Sequence, residues 1–321
     1  MVARCTKITI IASGGGHTAY AEAVAEQLVE RAKITVIVPK GDRWTRAKME
    51  KYGQVFETEK AAPGTPLWKR ILSVLKGFLE GLRIPKADVV VATGSNHSIG
   101  PALALKLKGA KLVVIEAIDR TVTKSKAVDI LSRFADIVAL HWDEQKKNYP
   151  KGKVYGPILP SARVNGRNDG YVLITFGTEG FEEFFDLVAK MPDVAKRAVL
   201  QTGKVPADKY ADRFLKVFQF DPEFNKWLAE ADVVVTHQGA TAAEAAIIYK
   251  KPTIIVFNHK LTGTSGRKDT EVFARKVGAV FVERYSEFNG QHILQAKTMA
   301  KEIKHENGST KLAEDVLRLA K

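Results

Sequence analysis

Three glycines and a histidine, Gly14-Gly15-Gly16-His17, close an apolar run that begins at Lys7. Glycines at the end of a strand let the backbone turn tightly, and they bring N–H groups and a helix N-terminus up to an anion. A histidine there feels the positive end of the helix dipole, which favours the neutral imidazole, the form that accepts a proton. His17 is therefore a candidate general base; a helix-start histidine bonded only to its neighbours is the plainer alternative. Three further turns repeat the theme: Gly94-Ser95-Asn96-His97 after "DVVVA", Gly177-Thr178-Glu179-Gly180 after "YVLITF", and Gly239-Ala240-Thr241 after "DVVVTHQ". Four anion-ready turns are more than chain reversal requires.

Two nucleotide motifs can be tested on these residues. Gly14, Gly16 and Ala19 satisfy G-x-G-x-x-G/A, but a dinucleotide site needs an acid at the end of the next strand, where "KITVIVPKGD" has Pro39 and Lys40. A P-loop is excluded because no Gly-Lys-Ser/Thr follows the glycines.

The elements that must carry these turns are legible as alternating patterns. Short β-branched runs ("KITIIA", "KITVIVP", "DVVVATG", "KLVVIEA", "DIVALH") alternate with helical stretches such as "YAEAVAEQLVERA", the signature of βαβ units and a parallel sheet. The rhythm breaks at "YGPILPSARVNGRNDG" and restarts with "YVLITFG", "AVLQTG", "KVFQF", "DVVVTHQGA" and "PTIIVFN". The expected fold is α/β, with two doubly wound Rossmann-like domains facing one another: residues 1–160, and residues 161–321 after a linker near 160–169. The final stretch, "TKLAEDVLRLAK", has the option of packing back on the first domain. A chain of 321 residues exceeds what one core usually supports, which agrees with two domains.

Charge is uneven. Residues 1–160 hold 26 basic against 15 acidic residues, net +11, and residues 161–321 hold 24 against 21, net +3. The excess in the first half points to an anionic partner. The absence of any recognition motif or aromatic-basic repeat argues against nucleic acid. No apolar run approaches the roughly 20 residues of a spanning helix. The start, "MVARCTKITIIAS", reads as a first strand rather than a signal peptide, and the single Cys5 fits a reducing compartment, so a cytoplasmic protein is expected.

One helical segment, "PLWKRILSVLKGFLEGLRIPK" (66–86), is amphipathic and basic. Leu67, Ile71, Val74, Leu75, Phe78, Leu79 and Leu82 share a face, flanked by Lys69, Arg70, Lys76 and Arg83, with Trp68 at the border. Such a helix either packs on a core or lies in the headgroup region of an anionic membrane, and the basic excess favours the membrane.

"SGGGHT" after the first strand, with "VLITFGTEGFEEFFDLV" and "ADVVVTHQGATAAEAAIIYKKPTIIVFNHK" in the second half, resembles the UDP-N-acetylglucosamine transferases of the two-domain glycosyltransferase-B fold. The likeness is greatest to the two-subunit enzyme that adds the second GlcNAc to dolichyl-diphosphate-GlcNAc in N-glycan assembly, here as one chain. It extends more distantly to the bacterial transferase that makes the lipid-linked peptidoglycan precursor. The resemblance implies a UDP-sugar donor in the second domain: Gly177, Thr178, Gly239, Ala240 and Thr241 near the diphosphate, Glu244 on the ribose, and Phe220 and Asp221 near the uracil. Where relatives carry a His-Gln or Gln-Gln pair for the donor sugar, this chain has Asp269 and Thr270.

In the first domain the resemblance implies His17 as the base acting on a polyprenyl(dolichyl)-diphosphate-sugar acceptor, with Gly15, Gly16, Thr18, Gly94, Ser95 and Asn96 around it. Glu116 matches an acidic catalytic position that orients acceptor or base, or forms an ion pair with Arg120 at i+4. The implied reaction is one inverting displacement with UDP leaving. No metal and no cofactor are implied, since no Asp-x-Asp motif is present, and the implied location is peripheral, on the cytoplasmic face of a membrane. A UDP-glucose transferase or a non-catalytic nucleotide-sugar-binding subunit are the alternative readings.

Overall fold

The computed structural model describes residues 5–62, 64–261, 263, 265–299 and 305–321, so the first four residues of the opening stretch lie outside it. The chain divides into two compact units, residues 1–160 with 306–321, and residues 161–305.

The first unit runs β1 (Lys7–Ile11), α1 (Gly16–Leu28), β2 (Lys33–Pro39), α2 (Arg43–Met49), β3 (Gln54–Thr58), α3 (Leu67–Arg83), β4 (Val89–Ala92), α4 (Ser95–Leu107), β5 (Lys111–Ile115), α5 (Lys126–Ser132), β6 (Ile137–Leu140) and β7 (Lys153–Val154). Its strands pair in the order β3-β2-β1-β4-β5-β6-β7, with every pair parallel. The central strands are unbroken runs such as Val89–Ala92 because helices cover both faces of a parallel sheet, leaving no polar side.

The second unit runs β8 (Val172–Thr175), α6 (Glu182–Val188), α7 (Pro192–Ala195), β9 (Ala198–Gln201), β10 (Lys216–Phe218), α8 (Phe224–Glu230), β11 (Val233–Thr236), α9 (Ala240–Ala243), β12 (Thr253–Val256), α10 (Arg267–Val277), β13 (Val280–Val282) and α11 (Gly290–Met299). The strand order is β10-β9-β8-β11-β12-β13, again parallel throughout. Its core gathers six phenylalanines, Phe176, Phe181, Phe184, Phe185, Phe214 and Phe288. Both sheets therefore reverse winding direction at one place, between β1 and β4 and between β8 and β11. That reversal opens a crevice at the carboxyl ends of the strands.

Three strands have no counterpart in the sequence patterns: β3, β7 and β13. All are edge strands. The expected second domain is also shortened, because α12 (Gly308–Leu319) belongs to the first unit. Leu312, Ala313 and Val316 are buried, Glu314 pairs with Arg31 at 2.5 Å beside α1, and Asp315 accepts from Tyr155 Oη at 2.7 Å and from Lys153.

The basic helix α3 packs on α4 through glycines. A Cβ on Gly100 would lie 2.3 Å from the Val74 carbonyl oxygen, and one on Gly81 would lie 2.8 Å from Ala104 Cβ. This fixes which residues face outward. Val74 and Phe78, expected on the outward apolar face, are half-buried, whereas Leu67, Trp68, Ile71, Leu72, Leu75, Leu79 and Leu82 are exposed. No helix among the described residues is long and apolar enough to cross a membrane.

Because the two backbones meet at Gly100, Gly100→Ala is expected to destabilise the first unit by about 1–3 kcal/mol through overpacking. Urea denaturation followed by circular dichroism measures it. An unchanged midpoint would show that the helices separate freely.

Candidate active site

In the first unit the loops after β1 and β4 flank the switch point, as the pairing of Ile11 with Ala92 requires. Gly14 (φ 82°) and Gly15 (φ 57°) make the turn into α1, and Gly94 (φ 87°) makes the turn into α4. Ser95 also adopts a left-handed conformation (φ 69°), a strained backbone of the kind held at sites.

His17 bridges the two loops. Its Nδ1 lies 2.6 Å from the Thr93 carbonyl oxygen, which only accepts, so Nδ1 carries the proton and Nε2 keeps its lone pair. The ring lies under Gly94, where a Cβ would sit 3.2 Å from His17 Cε1. Burial lowers the imidazole pKa to about 4; the Thr93 bond opposes this and the Lys60 ammonium adds to it. At neutral pH the ring is uncharged and presents an unprotonated nitrogen, which is the electronic state of a base.

Around it stands a supporting set. Lys60 Nζ donates to the Ser13 carbonyl at 2.6 Å. His97 is 3% exposed and is held between Thr58 Oγ1 (2.8 Å) and Ser13 Oγ (3.3 Å), its pKa lowered to about 3, chiefly by burial. Thr18 is buried and bonds Thr45 at 3.2 Å, so its side chain supports the loop from behind. Gly15, Gly16 and Asn96 are exposed at the mouth.

Glu116 lies deeper. It is fully buried, with its carboxylate taken by Tyr149 Oη (2.6 Å), the N–H groups of Ala117 (2.7 Å) and Ser125 (3.2 Å), and the Ser125 hydroxyl. Burial raises its pKa against those four donors. Its carbonyl accepts from His141 Nε2 at 2.9 Å, His141 Nδ1 accepts from Ile158 N–H at 3.1 Å, and the His141 ring meets Tyr20, 5.2 Å away, whose ring in turn edges His17 at 6.1 Å. Glu116 thus stands behind the ring that backs His17.

In the second unit the loops after β8 and β11 flank the corresponding switch point, where Thr175 pairs with Thr236. Gly177 (φ 64°) is held against His237, 3.3 Å from the place of its Cβ, and Thr178 is exposed beside it. Gly239 (φ 140°) leads into Ala240 and Thr241. The helix α9 changes at Glu244 into a π-helical turn, Glu244–Ile248, a local geometry frequent at functional sites. Glu244 is half-buried. Gln238 and Asn258 clamp the ends of β11 and β12 through paired bonds of 3.1 and 3.3 Å.

Three buried polar atoms here lack a hydrogen-bond partner among the described residues: Thr236 Oγ1, His237 Nδ1 and Asn258 Nδ2. Such atoms are rare unless something else completes them. Burial lowers the His237 pKa to about 4, so this ring too is neutral.

Other residues singled out from the sequence lie elsewhere. Phe220, 44% exposed, and Asp221 follow the edge strand β10, two strands from the switch; Asp221 accepts from Trp227 Nε1 and Glu223 N–H, both at 2.8 Å. Asp269 and Thr270 are buried in the first turn of α10, where both side chains bond Gly266, at 3.2 and 2.9 Å. Sequence reasoning gave no role to Lys60, Thr93 or His237, and it named His97 only as the end of a glycine turn; Thr93 acts through its carbonyl, and Lys60 follows an unrecognised strand.

With this geometry in place, comparison with known proteins is informative. Residues 171–316 match the glycosyltransferase family 28 C-terminal domain. The chain is similar to a UDP-N-acetylglucosamine–N-acetylmuramyl-(pentapeptide) pyrophosphoryl-undecaprenol N-acetylglucosamine transferase of Prochlorococcus marinus, at 28% identity over 90% of this chain and 86% of that one. Among solved structures it shares its fold with MurG of Acinetobacter baumannii (TM-score 0.64, 15% identity, 98% and 99% of the two chains) and with a putative UDP-N-acetylglucosamine 2-epimerase of Listeria monocytogenes (TM-score 0.72, 15%, 98% and 96%). Fold and sequence likeness together define the class, a glycosyltransferase built of two Rossmann-like units. The match to the glycosyltransferase family 28 C-terminal domain covers residues 171–316, a little under half of the chain.

The buried neutral histidines set a pH dependence. Their folded pKa values lie below the unfolded value of about 6.5, so the unfolded chain takes up protons that the folded chain refuses as pH falls from about 6.5 towards 3. Stability is full above about 6.5 and falls below it, by about 1 kcal/mol per pH unit for each of His97 and His141. Denaturant titrations at about pH 7 and pH 5 test this, and equal midpoints would contradict it.

Proposed function

We propose that this chain is an inverting glycosyltransferase that moves GlcNAc from UDP-GlcNAc to a polyprenyl-diphosphate-linked sugar at a membrane surface, forming a β-linked disaccharide lipid. The observation that carries the reading is His17, with Nδ1–H tied to Thr93 and a neutral Nε2 left at the mouth of two glycine turns. Nε2 takes the proton of the acceptor hydroxyl as that oxygen attacks the anomeric carbon. The bond from that carbon to the UDP oxygen breaks on the opposite face, and UDP leaves.

The second unit is assigned the donor. The family 28 match and the three partnerless polar atoms at its switch point support this. Backbone N–H groups at Gly239, Ala240 and Thr241 meet the diphosphate and take up the departing charge, Gly177 and Thr178 close over it, and Glu244 accepts from the ribose hydroxyls. His237 Nδ1 is added to the diphosphate side of this set. Phe220 and Asp221 are assigned to the uracil and Asp269 and Thr270 to the donor sugar. For these last two, the role fits only insofar as α10 presents its first turn, because their side chains bond Gly266.

The first unit is assigned the acceptor, with Gly15, Gly16, Gly94, Ser95 and Asn96 around its diphosphate. The similar Prochlorococcus protein is named for an acceptor of this kind, a pyrophosphoryl-undecaprenol. The finer form implied by the sequence resemblance is a dolichyl-diphosphate-GlcNAc acceptor of N-glycan assembly. The exposed stripe of α3, with Lys69 and Arg70 beside it, supports peripheral binding to the cytoplasmic face of an anionic membrane.

Isothermal titration with UDP-GlcNAc, UDP-glucose and UDP tests the donor half. Glu244→Ala is expected to weaken all three by about tenfold or more, the loss of hydrogen bonds to a charged group. No heat with any uridine ligand sinks the reading. For the acceptor half, His17→Ala is expected to lower kcat by about 100-fold or more with UDP affinity unchanged. Dolichyl-diphosphate-GlcNAc and an undecaprenyl-linked muramyl acceptor, assayed side by side, decide between the two acceptors.

A further inference from the structure

Away from the switch point, the first unit carries a concentration of positive charge that the proposed reaction does not use. A pocket of about 290 Å³ opens between the loop after β3 and the first turns of α3, lined by Glu59, Lys60, Thr65, Lys69, Ser73 and Lys76. Three lysines and one glutamate line it, a formal net charge of two. Lys69 and Lys76 are exposed, and Lys69 Nζ lies 5.2 Å above the Trp68 ring.

The pocket touches two other features. Leu72 is part of its wall and, at 47% exposure, part of the outward apolar stripe of α3. Lys60, which lines the pocket, also donates its Nζ to Ser13 O in the glycine turn that carries His17. Apolar stripe, lysine pocket and base-bearing turn are therefore contiguous within one unit. A lipid diphosphate sugar has the same order: hydrocarbon, two phosphates, sugar.

We infer that Lys60, Lys69 and Lys76 hold the lipid-side phosphate of the acceptor. The hydrocarbon lies along Leu72, Leu75 and Leu79, and the sugar-side phosphate lies at Gly15 and Gly16; the assignment rests on the acceptor reading above. Two negative charges on a diphosphate diester match the net charge of the pocket, and lysine ammoniums, as mobile point charges, suit phosphate oxygens. The Ser73 side chain, half-buried in the wall, supplies a hydroxyl to the same oxygens.

The test compares the wild type with Lys69→Met/Lys76→Met, exposed positions whose change leaves the core intact. Three probes are titrated at about 0.15 M salt, where long-range surface attraction is largely screened. These are a short-chain polyprenyl diphosphate in neutral micelles, the corresponding polyprenol, and phosphatidylglycerol vesicles. UDP affinity serves as the check on folding.

The expected result is a loss of about tenfold or more in affinity for the diphosphate, with polyprenol binding changed by less than about twofold, a vesicle loss several-fold smaller than the diphosphate loss, and a raised KM for a lipid-diphosphate sugar at unchanged kcat. Equal losses for diphosphate and vesicles would assign the pocket to ordinary anionic headgroups and overturn the inference. Unchanged diphosphate affinity in a variant of an active wild type would also overturn it while leaving the transferase reading intact. A wild type that binds polyprenyl diphosphate no better than polyprenol would remove the acceptor reading itself, and the inference with it.

Discussion

The hydrogen bond from His17 Nδ1 to the Thr93 carbonyl is the constraint on which the first unit turns. It joins the loop after β1 to the loop after β4, and those loops are neighbours only because the sheet reverses its winding between these strands. The carbonyl selects one tautomer, and the ring's partly buried position under Gly94 disfavours its charged form. Those two facts together make Nε2 a neutral acceptor. Had position 94 any side chain, its φ of 87° would be strained and its Cβ would press on the imidazole.

The layers behind His17 serve the same end. Tyr20 backs its ring and is itself packed against His141, which is fixed by the Glu116 carbonyl and the Ile158 N–H. Glu116 in turn ties Ser125 and Tyr149 to the end of β5. Tyr20, His141, Glu116 and Tyr149 are buried and hydrogen-bonded, so the array has little freedom to rearrange. The second unit uses the same topology with the opposite outcome. Among the described residues, its switch point leaves one polar atom each of Thr236, His237 and Asn258 without a hydrogen-bond partner.

Much of this was legible in the sequence. The βαβ rhythm and the glycine turns identified both sheets and the four loops, because central parallel strands are unbroken β-branched runs and because positive φ selects glycine. Edge strands β3 and β7 escaped, being half-exposed or very short, and with β3 went Lys60. The helix pattern of α3 was visible, but its outward face was not: the glycines at 77, 81 and 100 set a close helix contact that hydrophobic periodicity does not encode. Asp269 and Thr270 show the limit of motif position, since they fall at the expected place while their side chains bond the start of their own helix. Glu116 shows another, its acid group serving as an internal tie.

The most direct test of the account is the protonation state of His17, read by nitrogen NMR on protein labelled at histidine and assigned with His17→Gln. The account predicts a neutral ring protonated at Nδ1 that stays neutral on acidification until about pH 4. A resonance that titrates near the free histidine value of about 6.5, or one protonated at Nε2, would contradict it.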